Sequence, residues 1–174
     1  MGQGKTCCFT GHRPQSLPFR FDEQDRRCRK LKRVLRKEIE RQIKEEGVTH
    51  FISGMAIGVD MYAAEIVLDL KRKYPQITLE AAIPCETQAV KWSEALRERY
   101  YDIAARCDKE TMLQRHYTPD CMHKRNHYMV DAADTVIAVW NGSPSGTGKT
   151  VQYAADQGKT IVIINPETFA VTAG

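Results

Sequence analysis

The chain has 174 residues and a formal net charge of +4 at pH 7, with 42% hydrophobic and 28% charged residues. This balance is typical of one soluble globular domain covering residues 1–174, long enough to bury a sizeable core. No apolar run is long enough to cross a bilayer as a helix, which excludes a membrane-spanning protein. Residues 1–6 are polar and lead directly into a short apolar strand, so no secretory signal is expected.

The predicted elements alternate between strands and helices. In chain order they are a strand at 5–11, a helix at 25–46, a strand at 49–54, a helix at 58–74, a strand at 77–84, a helix at 87–107, a strand at 109–115, a helix at 119–133, a strand at 134–141, a helix at 148–158 and a strand at 160–165. The strand runs are almost continuously apolar, as expected where both faces of a sheet are covered. We therefore predict a three-layer α/β sandwich with a mostly parallel sheet, followed by a frayed tail at 169–174.

The cysteines are interpreted as reduced thiols of a cytoplasmic protein. They are Cys7, Cys8, Cys28, Cys85, Cys107 and Cys121. None forms a C-x-x-C pair, and no histidine cluster accompanies them at zinc-ligand spacing. No metal site is expected.

Positive charge is concentrated in the first predicted helix. Ten lysines and arginines face five acidic residues between residues 25 and 46. Apolar residues recur there at helical spacing, namely Leu31, Val34, Leu35, Ile39 and Ile43. The basic residues therefore form the outer face of an amphipathic helix. We interpret that face as solvated, with a docking surface for polyanions as the alternative.

The stretch NGSPSGTGKTVQYA, at residues 141–154, resembles a phosphate-binding P-loop. A Walker A motif needs a glycine five residues before its G-K-[ST] glycine, because the loop must wrap a phosphate in one register. Counting back five residues from Gly148 reaches Ser143, and Gly142 lies one residue too early. A P-loop NTPase is therefore not predicted, and Lys149 is not expected to be a catalytic lysine.

Three predicted strands end in glycine-bearing loops: FTGHRP, ISGMAIGVD and WNGSPSGTGKT. A tight turn explains one glycine per loop, but it explains less well the closely spaced pairs Gly54 with Gly58 and Gly146 with Gly148. Closely spaced glycines let a ligand approach the backbone, and the helix N-termini behind them favour an anion. The pattern predicts a phosphate-bearing ligand at this edge of the sheet.

These loops resemble those of the SLOG superfamily. ISGMAIGVD is similar to the S-G-x-A-x-G-[IV]-D signature of the DNA-processing protein A family. In this chain FTGHRP occupies the position where that family carries a V-G-S-R-like turn. CMHKR and PSGTGKT resemble the M-H-x-R-K and P-G-G-x-G-T-x-x-E motifs of the lonely-guy (LOG) phosphoribohydrolases. FTGHRP, SGMAIGVD, IPCETQAVKW and GTGKTV are most similar to the YpsA-like family within that superfamily, and the resemblance covers residues 7–165.

The resemblance implies a Rossmann-like domain that binds a nucleotide-derived ligand of the ADP-ribose or NAD-like type. It does not establish a cofactor. It also implies a role in signalling or stress response, with a link to bacterial cell division for some members. The candidate ligand-binding residues are Thr10, Gly11, His12, Arg13, Ser53, Gly54, Met55, Gly58, Asp60, Arg125, Gly146, Thr147 and Gly148.

Some candidates keep a structural alternative. His12 and Arg13 follow a strand end, where they either face the ligand or shape a turn. Asp60 either binds a ribose hydroxyl or caps the helix that opens at Gly58. Lys149 either contacts phosphate or lies in solvent.

Two positions depart from the lonely-guy motifs. Arg125 matches the arginine of the first motif, but Asn126 stands where a lysine is expected. Gly146 and Thr147 match the second motif, but Thr150 replaces its glutamate. An N-glycosidic hydrolase needs a carboxylate to stabilise an oxocarbenium-like state or to activate water. Phosphoribohydrolase activity of that type is therefore not expected.

Three functions follow from the sequence. The leading one is a binding module for a nucleotide-derived ligand. The second is a hydrolase of an N-glycosidic or phosphoanhydride bond, for which Glu86 is the spare carboxylate near the expected pocket. The third is single-stranded DNA binding, although the basic helix carries no aromatic cluster on which bases could stack. No membrane partner is expected, and a homo-oligomer remains open.

Overall fold

The computed structural model describes residues 4–174. The strands of this range are β1 (Lys5–Gly11), β2 (Val48–Ser53), β3 (Thr78–Ile83), β4 (Lys109–Met112), β5 (Thr135–Val139), β6 (Thr160–Ile164) and β7 (Val171–Ala173). The helices are α1 (Arg26–Glu45), α2 (Val59–Lys71), α3 (Glu94–Arg106), α4 (Cys121–Ala132) and α5 (Gly146–Asp156), with a short 3₁₀ helix at Pro14–Ser16. No helix of this range is both long and apolar enough to cross a membrane.

One sheet joins all seven strands in the order β4-β3-β2-β1-β5-β6-β7. The strands from β1 to β6 are parallel to their neighbours, and β7 runs antiparallel to β6. The chain builds outward from β1 to β4 and then returns to β5 on the other side of β1. The strand order therefore switches between β1 and β5, where ligands bind in open α/β sheets. Gly11 pairs with Val139, so the two carboxyl ends are level.

Helices cover both faces of the sheet. Apolar side chains of α1, α2 and α3 pack with alternate strand residues such as Phe9 and Phe51 into one core. Helices α4 and α5 pack on the other face against Cys8, Ile52 and Val136. The predicted three-layer, Rossmann-like α/β fold is confirmed. The near-continuous apolar strands reflect these two cores, because both faces of each central strand are buried.

Two sequence expectations were wrong. The helix predicted from residue 87 begins at Glu94, because Ser93 caps it by accepting a hydrogen bond from the Leu96 N–H at 3.3 Å. Residues 87–92 form turns instead. The expected frayed tail contains β7, which pairs with β6 from Val162–Ala173 to Ile164–Val171. The sheet therefore gains an antiparallel edge strand.

A buried carboxylate lies on the α4 face of the sheet, midway along β3. Glu80 is 2% exposed. It accepts hydrogen bonds from His50 Nε2 at 2.7 Å, Thr111 Oγ1 at 2.8 Å and the Tyr128 hydroxyl at 2.5 Å. We call these four residues the Glu80 cluster. It ties β2, β3, β4 and α4 together, away from the carboxyl edge of the sheet.

Candidate functional site

A pocket of about 210 Å³ opens at the carboxyl ends of β1 and β5, where the strand order switches. We call it the switch-point pocket. Its lining residues are Phe9, Thr10, Gly11, His12, Arg13, Ser16, Ala56, Asp60, Arg125, Asn126, Ser145, Gly146 and Thr147. They come from the end of β1, from the loops after β1, β2 and β5, and from α2, α4 and α5. The fold thus gathers residues that are far apart in the sequence at the predicted edge of the sheet.

Most of the candidate ligand-binding residues line this pocket. Those that do are Thr10, Gly11, His12, Arg13, Asp60, Arg125, Gly146 and Thr147. Those that do not are Ser53, Gly54, Met55, Gly58 and Gly148. The second group supports the loops that carry the first group.

Ser53 and Met55 hold the β2–α2 loop in shape. The Ser53 hydroxyl donates to the Asp60 carbonyl at 2.8 Å and accepts from the Met55 N–H at 3.2 Å. Met55 has a positive φ of 61° and a fully buried side chain. The Ser53 hydroxyl is therefore engaged within the chain, and the Met55 side chain belongs to the core.

Gly54 makes room for Arg125. A Cβ at Gly54 would lie 2.8 Å from both Cζ and Nη1 of Arg125. Nη1 donates to the Gly54 carbonyl at 2.5 Å and to Gln88 Oε1 at 3.2 Å. Gly54 is thus required by the Arg125 side chain, which packs directly against the Gly54 backbone.

Gly58 lets two loops touch. Its φ is +99°, and a Cβ there would lie 3.1 Å from the His12 carbonyl oxygen and 3.0 Å from Pro14 Cδ. A side chain would therefore combine backbone strain with a close contact. This residue brings the loop after β1 against the start of α2, which places His12 and Asp60 in one pocket.

Arg125 is buried without an ion pair among residues 4–174. Its side chain is held by the carbonyl of Gly54, by Gln88, and by Nε donation to Asn126 Oδ1 at 2.9 Å. The residue is only 3% exposed. Burial lowers the pKa of Arg125, and the charge of Asp60 opposes that shift. An arginine remains protonated at neutral pH, so the pocket holds a buried positive charge.

Asp60 is the negative group of the pocket. It lies in the first turn of α2 and is 7% exposed. Its Oδ2 accepts one hydrogen bond, from the Ala56 N–H at 3.3 Å. Burial raises the pKa of Asp60, while Arg125 and the Ala56 N–H act in the opposite direction. Most of the acceptor capacity of this carboxylate is therefore open to a ligand hydroxyl.

His12 joins the loops after β1 and β5. Its Nε2 lies 3.0 Å from Asn141 Oδ1 and 3.1 Å from the Asn141 nitrogen. Burial lowers the pKa of His12, and the Asn141 contact and Glu167 oppose that shift. The ring is therefore neutral at pH 7 and positions the loop. Arg13, the next residue, is exposed at the rim of the pocket.

The N-terminus of α5 points two backbone donors at the pocket. Ser145 caps the helix, since its hydroxyl accepts from the Gly148 N–H at 3.1 Å. Within residues 4–174, no hydrogen-bond partner takes the N–H groups of Gly146 and Thr147. A Cβ at Gly146 would meet no atom within 4 Å, so the approach to this backbone is open. Free N–H groups at a helix N-terminus favour an anion.

The P-loop resemblance does not extend to the geometry. Lys149 is exposed and lies outside the pocket lining. The Thr150 hydroxyl donates back to the Gly146 carbonyl at 3.1 Å, so it is occupied within the helix. Glu86, the spare carboxylate of the sequence analysis, receives a hydrogen bond from Arg115 Nε at 3.0 Å and also lies outside the lining.

Sequence reasoning missed five lining residues: Phe9, Ser16, Ala56, Asn126 and Ser145. Ser145 carried a readable signal, because a serine before a glycine-rich helix start is a typical N-cap. The sequence marks Asn126 only as a departure from a family motif. Nothing in the sequence indicates that Ser16 or Ala56 lines a site, since the 3₁₀ turn and the β2–α2 loop bring them there.

Comparisons with known proteins bear on the family and the fold. A family model described as the YspA SLOG family matches residues 7–168. The UPF0398 protein BH1768 of Halalkalibacterium halodurans is 31% identical over 147 residues, which cover 81% of this chain and 77% of the relative.

Two solved structures share the fold. DNA processing protein A from Helicobacter pylori, whose description names a single-stranded DNA binding mode, is similar with a TM-score of 0.61 and 16% identity, over 93% of this chain and 66% of that one. DNA processing protein A from Streptococcus pneumoniae has a TM-score of 0.62 and 16% identity, over 93% of this chain and 50% of that one. The chain thus spans less than two thirds of either DNA processing protein, and at this identity the likeness concerns the fold alone.

Proposed function

The chain belongs to the YspA SLOG family, and from that premise we propose that it is a cytoplasmic binding module for a nucleotide-derived ligand, of the ADP-ribose or dinucleotide type. One observation carries the proposal. The switch-point pocket combines the buried charge of Arg125 with the two free N–H groups at the start of α5. A phosphate group would satisfy both, because it accepts hydrogen bonds from a guanidinium and from helix N-terminal amides.

The rest of the pocket supports a sugar next to the phosphate. Asp60 offers free carboxylate lone pairs in the same pocket as Arg125, and an acidic residue binds the ribose hydroxyl in dinucleotide-binding α/β folds. The pocket volume of about 210 Å³ is smaller than the roughly 300–1,000 Å³ of typical small-molecule sites. We infer that it holds the phosphate and ribose of the ligand, while the remainder extends past Arg13 at the rim.

A hydrolase is the second candidate, and Asp60 favours it. It is the only carboxylate in the pocket lining of residues 4–174, and burial raises its pKa. A carboxyl group with a raised pKa in a cleft is a candidate general acid. This residue takes the role that the sequence analysis gave to Glu86. Single-stranded DNA, named for the Helicobacter pylori neighbour, would not be enclosed by so small a pocket and would need a further surface.

Calorimetry tests the binding proposal. Purified protein is titrated with ADP-ribose, NAD and AMP, and we expect saturable binding of at least one of them. Arg13→Ala, at the exposed rim, should weaken binding by about 1.5–3 kcal/mol, the range for a hydrogen bond to a charged group. Arg72→Ala is the matched control, because that side chain is 85% exposed on the far end of α2. Equal affinities of wild type and Arg13→Ala would contradict the proposal.

Chromatography of the same mixtures separates binding from turnover. A binding module should return the ligand intact. If free base, ribose phosphate or AMP accumulates, and Asp60→Asn abolishes that release while still binding ligand, the hydrolase replaces the binding module as the function.

A further inference from the structure

The basic residues of α1 fall into two groups that differ in their partners. Lys32 pairs with Glu23 at 2.7 Å, Arg36 with Asp69 at 2.7 Å, and Arg41 with Glu38 at 3.1 Å. The second group is exposed and forms no ion pair with any carboxylate of residues 4–174. Five of its six members lie on one face of the helix, namely Arg26, Lys30, Arg33, Lys37 and Lys44, and we call these five the α1 stripe. The sixth, Arg29, lies off that face and donates to Gln24 Oε1 at 3.0 Å. Lys32 and Arg36 join α1 to neighbouring segments, and Arg41 pairs within the helix. The stripe forms no such ion pairs.

The α1 stripe is straight. Its members follow one another at intervals of four, three, four and seven residues, which places them on one face of a helix. At 1.5 Å per residue the stripe is about 27 Å long. A continuous row of exposed cations over this length matches a chain of regularly spaced anions better than a single small anion.

A groove of about 560 Å³ lies at the N-terminal end of the stripe. Its lining residues are Asp25, Arg26, Arg27, Arg29, Lys30, Arg33 and Phe169. The groove shares no residue with the switch-point pocket. It is therefore a separate feature of the molecule, formed where α1 meets the segment between β6 and β7.

Phe169 places an aromatic ring in this basic groove. Lys30 Nζ lies 4.7 Å from the centre of the ring. Phe169 has a positive φ of 65°, a strained conformation for a bulky residue, and its N–H donates to the Asn165 carbonyl at 2.7 Å. Such a backbone persists only where the surroundings hold it. Phe169 is half-buried and packs partly against the core, and its exposed part lines the groove. Helix α1 carries no aromatic residue of its own, so the C-terminal segment supplies the aromatic surface that the helix lacks.

We propose that the α1 stripe and the Phe169 groove form a binding surface for single-stranded nucleic acid. Phosphates follow the row of cations, and one unpaired base stacks on the exposed part of the Phe169 ring, as in other single-strand sites that combine a basic groove with aromatic side chains. A duplex presents no free base face to the ring. A lipid surface is flat and does not fit a concave groove.

The charge count sets the expected salt dependence. Each neutralised phosphate of a single strand contributes about −0.7 to the slope of log K against log salt concentration. The five cations of the stripe therefore predict a slope of about −3.5, and removal of three of them should bring it to about −1.4. The stacking contribution of Phe169 should not depend on salt.

Fluorescence anisotropy with a labelled oligothymidylate tests the surface between about 50 and about 200 mM salt. The stripe variant is Arg26→Gln, Lys30→Gln and Arg33→Gln combined. Its matched control is Arg72→Gln, Lys91→Gln and Arg106→Gln, which removes the same charge from other exposed sites. We expect the stripe variant to bind at least tenfold more weakly with the lower slope, and the control to bind nearly like wild type. Circular dichroism confirms that both variants are folded.

Phe169→Ala provides the second readout. It should weaken binding at least about fivefold and leave the salt slope unchanged, because base stacking and charge neutralisation are separate contributions. The proposal is overturned if wild type does not bind the oligonucleotide, or if the stripe variant and the control lose affinity equally. It is also overturned if duplex DNA, or vesicles of phosphatidylserine and phosphatidylcholine, bind as tightly and Phe169→Ala changes nothing.

Discussion

The switch-point pocket and the Glu80 cluster each bury a carboxyl group, and its pKa shifts in opposite directions at the two places. Burial alone would raise the pKa of Glu80, but hydrogen bonds from His50, Tyr128 and Thr111 outweigh it and hold that pKa at about 2. Asp60 has one backbone donor, and burial raises its pKa. Burial alone therefore does not set the pKa of a carboxyl group in this fold. The number of hydrogen bonds that the protein itself supplies decides the direction of the shift.

Position in the sheet explains the difference. The Glu80 cluster lies beneath α4 at mid-strand, where neighbouring strands and a helix supply donors from every side. Asp60 lies at the carboxyl edge of the sheet, in the first turn of α2, where the Ala56 N–H is its one donor among residues 4–174. Donors that the fold leaves out are those that a ligand can provide.

The largest expected effect is on stability. Glu80→Ala removes three hydrogen bonds to a buried carboxylate, from the half-buried side chains of His50, Thr111 and Tyr128, so we expect the free energy of unfolding to fall by about 3 kcal/mol. Urea denaturation measures this change. Glu98→Ala, at an exposed position of α3, is the control and should stay within about 0.5 kcal/mol of wild type. A loss of stability as small as that of the control would place the Glu80 cluster outside the stabilising core.

Low pH should remove the contribution of the Glu80 cluster to the free energy of unfolding. A carboxylate whose pKa is lower in the folded state than its ordinary 4.5 stabilises the fold above pH 4.5, and that contribution is lost as the pH falls towards about 2. The drop corresponds to about 3 kcal/mol, at 1.36 kcal/mol per pH unit. We therefore expect the stability gap between wild type and Glu80→Gln to close between pH 4.5 and pH 2 in urea titrations. A gap that stays constant over this range would contradict the low pKa.

Gly54 and Arg125 should act as one unit in ligand binding. Arg125→Ala removes the buried cation, and Gly54→Ala displaces it because the new Cβ would lie 2.8 Å from the guanidinium carbon. Each change should weaken nucleotide-ligand binding by about 1.5–3 kcal/mol. The double variant should lose little more than either single one, which a double-mutant cycle by calorimetry detects. Additive losses would indicate that Gly54 contacts the ligand directly.

Asp60→Asn should change the stability of the fold in the opposite direction from the Glu80 variants. A carboxyl group with a raised pKa stabilises the fold below its ordinary pKa of 3.8, and that stability is lost as the pH rises through the folded value. The neutral amide avoids the loss, so we expect the variant to be more stable than wild type at pH 7. Thermal unfolding at pH 7 and below pH 3.8 checks both the gain and its disappearance. A less stable variant at neutral pH would give Asp60 a structural role like that of Glu80.

Lys149→Ala should have the smallest effect. The side chain is exposed and outside the pocket. A phosphate-release assay with magnesium and ATP should show no substantial hydrolysis by either wild type or variant. Hydrolysis by wild type that the variant loses would restore the P-loop interpretation.

The sequence predicted the parts of this molecule that depend on local patterns. Apolar runs gave the strands, and helical spacing in α1 gave its buried face. Glycines at three strand ends located the switch-point pocket, because parallel strands share a carboxyl edge. The start of α3 was misjudged since apolar spacing continues through the turns before Ser93.

What the sequence could not give depends on contacts across the fold. The reason for Gly54 is a guanidinium 71 positions later in the chain. Thr150 looked like a residue in place of a catalytic glutamate, and its hydroxyl is turned back onto its own helix. Phe169 was assigned to a frayed tail, because nothing in the local sequence shows that its ring meets Lys30.

The antiparallel strand β7 also limits how this protein can self-associate. It covers the outer side of β6 and is itself only three residues long, while β4 at the opposite edge has four residues, Lys109 and Glu110 among them. Short and charged edge strands are poor templates for pairing with a second chain. Any assembly of this protein with itself should therefore use the helical layers, and continuous sheets running from one molecule into the next are disfavoured.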